Sequence, residues 1–308
     1  MHALVLAAPG LSQEISQALV CTMFISLCLL GCTTDAGIRA KQPALGSKLS
    51  SRWQSTLHTD ENLSLVSSLR DAQIQSESVL ADENVLLVYL EGDGNAWQSR
   101  RSPSADPTPR DPVALRLAAG ARGYGRLAYI ARPCQFEALQ STGCAYPIWT
   151  ERRYGPRNLS LISQAIDELK REHEKLLLIG FSGGGVIAAL LAASRDDVVA
   201  FITVAANLDT DRWIEHHSVS PLQGSLNPAN YAETLATIPQ VHLAGTRDEV
   251  VPLLVLDSYL DRIGVAAAGK VVEAADFDHG CCWVDDWREL EARAMGLLEE
   301  QIKAQATE

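Results

Sequence analysis

Positive charge is scarce in this chain of 308 residues: 26 Lys and Arg stand against 38 Asp and Glu, a net charge of −12. A nucleic-acid partner would need a basic surface to hold its phosphates, and this balance argues against one. Long apolar runs are missing too, since none reaches the roughly 18 to 20 residues of a spanning helix. No paired CxxC knuckles and no HExxH are present, which removes the common zinc patterns, and no internal repeat is found. Disordered, collagenous and coiled-coil chains are excluded by 47% hydrophobic residues, 21% charged residues and only 21 Gly and 13 Pro. What remains is a globular chain long enough for one large domain or two ordinary ones.

The first 38 residues contain no Lys or Arg, yet Ala18 to Gly31 forms an uncharged run of signal-peptide length that ends at Cys32. Leu29-Leu30-Gly31-Cys32 resembles the bacterial lipobox, where a peptidase cuts before a cysteine that then carries acyl chains. The resemblance implies a leader over residues 1–31 and a lipid anchor on Cys32. It also implies a place in the bacterial cell envelope, at the outer membrane or periplasmic face. Residues 32–80, mostly polar, read as a tether followed by edge structure. Four cysteines follow the anchor, Cys134, Cys144, Cys281 and Cys282, and an even count in an exported chain suggests bridges. Three connectivities are open, of which Cys134 to Cys144 with Cys281 to Cys282 closes only short loops.

From residue 81 onward the pattern changes. Residues 85–90, 127–131, 175–180, 198–205, 241–245 and 270–274 are short apolar runs suited to parallel strands buried on both faces. Helix-length amphipathic segments lie between them, at 159–172, 184–194, 253–263 and 285–302. The alternation predicts an α/β fold with a doubly wound, mostly parallel sheet over 81–308. Residues 207–239 lack clean periodicity and read as a short lid insert.

Chemistry concentrates where strands end. Gly180-Phe181-Ser182-Gly183-Gly184 follows a strand and opens a helix, which fits G-x-S-x-G, a turn that lifts a serine hydroxyl above the sheet. A serine nucleophile needs an imidazole oriented by a carboxylate. His279 stands just beyond the last strand and is the candidate base. His242 lies inside an apolar strand as a core residue, while His216 and His217 belong to the insert. Asp248 follows the strand 241–245 and is the candidate acid, with Asp209, one strand earlier, as its rival. The backbone N–H of Gly183, joined by that of Asp93 or Gly94 in the segment Glu91-Gly92-Asp93-Gly94, would form an oxyanion hole.

Through the elbow 180–184, the acid turn 245–252 and Asp278-His279-Gly280, the sequence resembles the α/β-hydrolase superfamily over about residues 84–302. It is also similar to bacterial α/β hydrolases of undefined substrate, several of them predicted lipoproteins, that carry EGDG, RPCQ, NLD and HGCCW segments. Glu91 stands where many lipases have His. The resemblance implies a serine hydrolase with a Ser182, His279, Asp248 triad, acting on a small-molecule acyl ester without metal or organic cofactor. A thioesterase or peptidase with the same triad, or a non-catalytic envelope lipoprotein that keeps the fold, are the alternative expectations.

Overall fold

The computed structural model describes residues 45, 50, 52–71, 80, 84–121, 125–264 and 270–306. The expected leader 1–31, Cys32 and part of the tether lie outside the described residues.

In chain order the elements are strands β1 (Gln54–Asp60), β2 (Leu63–Asp71), β3 (Val85–Leu90), β4 (Trp97–Ser99) and β5 (Ser102–Pro103), helix α1 (Val113–Gly120), β6 (Arg126–Ile130) and α2 (Pro156–Leu169). There follow β7 (Lys175–Phe181), α3 (Gly183–Ala192), β8 (Val198–Val204), α4 (Thr210–His217), β9 (Gln240–Gly245), α5 (Leu253–Ile263), β10 (Lys270–Ala274) and α6 (Trp287–Gln305). Among the described residues one eight-stranded sheet has the order β1-β2-β6-β3-β7-β8-β9-β10. β2 pairs antiparallel with β1 and β6, and the other neighbours are parallel. The doubly wound, mostly parallel α/β sheet is therefore present.

The apolar runs have a simple cause. Leu87 and Tyr89 of β3 pack with α1 and α6 on one face, while Leu86, Val88 and Leu90 pack with α2, α3 and α5 on the other. A strand covered on both faces has no polar side to alternate. β1 escapes this reading because it is an edge strand with most side chains exposed, so it carries no apolar run. α1 and α4 were likewise not expected from periodicity: each has eight residues, about two turns, too few to display a stripe.

From β3 the chain crosses to β6 on one side and then returns past β3 to β7 on the other. Strand order reverses there, and in open α/β sheets the crevice at such a switch point receives ligands. Glu91 to Gly94 and Ser182 leave the carboxyl ends of β3 and β7 at this place.

Two buried carboxyls make the fold sensitive to pH. Burial pushes Glu91 and Glu291 up to about 7, against hydrogen bonds that favour their ionised forms. Tyr89 donates to Glu291, and Tyr129, Gly92, Ala114 and Leu115 donate to Glu91, which thereby caps the start of α1. In an unfolded chain a glutamate titrates near 4.3. Between that value and about 7 the folded protein holds protons that the unfolded chain has released. Stability therefore falls as pH rises through the window, by at most about 4 kcal/mol per group, and the loss is complete above it. Urea unfolding should give a lower midpoint at pH 8 than at pH 5.5, with a shallower pH slope in Glu291→Gln. An unchanged slope in that variant would remove Glu291 as a source.

Candidate active site

The turn between β7 and α3 is built by exclusion of side chains. Ser182 adopts φ 51° and ψ −120°, a conformation that L residues rarely take and that costs on the order of 1–3 kcal/mol. A Cβ on Gly180 would run into the Gly184 carbonyl, so the chain passes over itself only with glycine there. The consequence is a serine at the very start of α3, with the N–H groups of the helix's first turn beside it.

The Ser182 hydroxyl donates to His279 Nε2 at 3.0 Å, and His279 Nδ1–H donates to Asp248 Oδ2 at 2.8 Å. These donor assignments follow from the carboxylate, which can only accept. The second oxygen, Asp248 Oδ1, accepts the N–H groups of Val250 and Val251, both at 2.8 Å. Asp248 is buried and thus has one orientation available. His279 is held by its own loop: Gly280 and Cys281 N–H donate to Asp278 Oδ1, and Trp283 Nε1–H donates to the carbonyls of Asp278 and His279. Cys281 is joined to Cys282 in this loop, and Cys134 to Cys144.

The rival acid sits elsewhere. Asp209 is buried and accepts from Asn227, Ser258 and the N–H of Arg212, with Arg262 at 3.3 Å. It caps α4 and has no contact with His279. His242 is a core residue, bonded to Thr203 and Gln240, and burial pushes it down to about 3. His217 Nε2–H and Trp213 Nε1–H both donate to the Val250 carbonyl, so α4, within the 207–239 insert, leans on the acid turn.

Asp93 and Gly94 differ in placement. Asp93 lies against the elbow, where a Cβ on Gly183 would strike its carboxylate. Gly94, at φ +65°, packs against Pro107 and Gln135 instead. The N–H groups of Asp93 and Gly94 have no hydrogen-bond partner among the described residues, whereas Gly92 N–H is taken by Glu91 and Asn95 N–H by Pro107.

A cleft of about 490 Å³ surrounds Ser182 and His279, and a second of about 710 Å³ shares Trp97, Arg153 and Trp213 with it. Among the residues of the first cleft, Arg153, Tyr154, Asn207 and Trp213 were not anticipated from the sequence. Asn207 Oδ1 is buried with no partner among the described residues. NLD and RPCQ stood out as segments, but no local pattern tied them to the serine.

Hydrogen-bond geometry alone does not make such a site. His58 is bonded to Ser67 and to Glu168, both at 2.7 Å, which reproduces the serine, histidine, carboxylate order. Ser67, on β2, is fully buried and borders neither the cleft at Ser182 nor the second cleft. No group of three or more His, Cys, Asp or Glu that could hold a metal ion occurs among the described residues.

No protein-family model and no curated protein matches the chain. Solved structures do. The Pyrococcus furiosus esterase Pf2001 superposes with a TM-score of 0.56 at 16% identity, over 84% of this chain and 96% of that one. XC6422 from Xanthomonas campestris, described as an α/β serine hydrolase without lid, gives 0.50 at 12% identity over 85% and 97%. A Pyrococcus horikoshii acylaminoacyl peptidase gives 0.51 at 14% identity, over 83% of this chain and 41% of that one. At these identities the likeness establishes the α/β-hydrolase fold.

Proposed function

We propose that this protein hydrolyses acyl esters through a covalent intermediate on Ser182. The observation that carries the reading is the unbroken path from Ser182 through His279 to Asp248, at 3.0 and 2.8 Å, bordering a cleft at the switch point of an α/β-hydrolase fold. Ser182 Oγ attacks the ester carbonyl while His279 Nε2 takes its proton. Asp248 stabilises the resulting imidazolium and holds its tautomer. The N–H groups of Gly183 and Asp93 receive the tetrahedral oxygen. His279 then returns the proton to the leaving alkoxide, and water repeats the sequence on the acyl-enzyme.

The clefts support a small or medium acyl group, since their volumes lie in the ordinary range for small-ligand sites and both present more apolar than polar wall. The test is labelling with a fluorophosphonate, followed by p-nitrophenyl esters from acetate to laurate beside an acyl thioester and a p-nitroanilide. Labelling with turnover of the shorter esters is expected. Absence of labelling, or turnover confined to thioester or anilide, would overturn the ester reading.

We further propose a place in the bacterial cell envelope, through a lipid anchor on Cys32, which the lipobox-like Leu29 to Cys32 supports. Cys32→Ala should abolish incorporation of a clickable fatty acid during growth and release the protein from the membrane fraction. Retention of both lipid and membrane association in that variant would remove the anchor.

A further inference from the structure

The carboxylate of Asp93 is gripped at both oxygens by two guanidiniums. Arg132 Nη1 donates to its Oδ1 at 2.9 Å, while Arg153 Nη1 and the Tyr154 hydroxyl donate to its Oδ2 at 2.7 and 2.8 Å. The two guanidiniums also lie near the Tyr154 ring, 5.4 and 5.8 Å from its centroid. Arg132 and Arg153 are about nine-tenths buried. Two buried cations on one partly buried anion leave one positive charge in excess, and such an excess is costly unless the site has a use for it.

The grip is itself braced. Arg132 donates through Nη2 to the Arg153 carbonyl, and Arg153 Nε–H donates to the Thr150 carbonyl. Gln135 Nε2 donates to the Gly92 carbonyl at 3.1 Å, one residue before Asp93. The Cys134 to Cys144 bond ties the arm that carries Arg132 to the stretch leading to Arg153. Burial pushes the Asp93 carboxyl up, but the Arg153 and Arg132 charges and the bonds they and Tyr154 donate outweigh it and hold it below the ordinary carboxylate range. The bonds from Arg132, Arg153 and Tyr154 end on a residue whose side chain abuts Gly183 and whose own N–H is unpaired among the described residues.

We infer that Arg132, Arg153 and Tyr154 are positioning residues for the oxyanion site: by fixing the Asp93 carboxylate they hold the Asp93 N–H against the elbow, and their surplus charge favours the tetrahedral oxyanion. The inference rests on the ester-hydrolase reading above. A donor aimed in advance at developing charge acts on the transition state and little on the ground state, so its loss appears in kcat rather than KM. The geometry also accounts for the RPCQ segment, since Arg132 and Gln135 are two of the braces.

The test compares Arg153→Met, Arg153→Lys and Tyr154→Phe with the wild type by steady-state kinetics on p-nitrophenyl butyrate, by inhibition with an alkyl boronic acid that mimics the tetrahedral oxyanion, and by thermal melting. Arg153→Met should lose about 100-fold in kcat with KM within about 2-fold, because removing one oxyanion donor or misplacing it by about 1 Å costs that much. Boronate affinity should fall in parallel. Arg153→Lys should recover part of the loss, and Tyr154→Phe should lose about 5-fold. If Arg153→Met does not fold, the other two variants carry the comparison. A rise in KM at constant kcat would overturn the inference and make Arg153 a substrate-binding cation. Lower melting temperature at unchanged kcat and unchanged boronate affinity would reduce the cluster to a structural brace and overturn it as well. Variants at wild-type rates beside an active wild type remove this inference alone, whereas a wild type that neither labels nor turns over ester removes the function beneath it.

Discussion

Ser182→Ala is expected to abolish fluorophosphonate labelling and to lower ester turnover by about 10,000-fold or more, with folding preserved. The magnitude follows from the triad acting as a unit: without Ser182 Oγ there is no acceptor for the acyl group, and only binding and the oxyanion donors remain. His279→Ala should cost a similar factor, and the double variant should be scarcely slower than either single one. Multiplicative losses would show that the two residues act independently and would dissolve the triad. The same position offers a stability readout. Ser182 sits at φ 51° and ψ −120°, a backbone conformation that glycine adopts freely and other residues only with strain. Ser182→Gly should therefore be inactive and yet more stable than the wild type by about 1 kcal/mol, measured by urea unfolding. A destabilised Ser182→Gly would mean that the turn is held by the serine side chain rather than against it. Ser67→Ala is the control: it breaks a Ser67, His58, Glu168 array whose hydrogen bonds, both 2.7 Å, are at least as short, and it should leave labelling intact, because Ser67 is buried away from the cleft.

Asp248→Asn is expected to slow turnover by about 10,000-fold, since an amide in place of the carboxylate lets His279 present the wrong tautomer to Ser182 and leaves the imidazolium uncompensated. Asp209→Asn should change turnover by less than about 10-fold while lowering stability by about 2 kcal/mol, because it disturbs a buried carboxylate with four partners at the start of α4. The opposite ranking in kcat would transfer the acid to the β8 end of the sheet. These two aspartates illustrate how far a linear reading reaches. Both follow a strand, both precede the histidine, and both suit the chain order of a nucleophile, acid and base. Only the packed structure separates them, through an imidazole contact in one case and a helix cap in the other.

What the sequence determined by itself was whatever is enforced over a few neighbouring residues. Buried strands had to be continuous apolar runs, so β3, β7 and β10 start where the hydrophobic pattern places them. The elbow had to contain Gly180 before Ser182, because the steric conflict it avoids arises with the backbone four residues on. The positions of His279 and Asp248, in the turns that close apolar strands, were legible for the same reason. The tertiary structure decided everything that depends on distant segments meeting. β1 and β2 belong to the sheet through pairing with each other and with β6, which no local apolar run announces. Glu91 became a cap for α1, and Asp93 acquired Arg132, Arg153 and Tyr154 from 39, 60 and 61 residues away. Charges paired across such separations leave no periodicity behind: nothing in the spacing of an arginine tells which carboxylate it will meet, and only burial in a common interior makes the meeting obligatory.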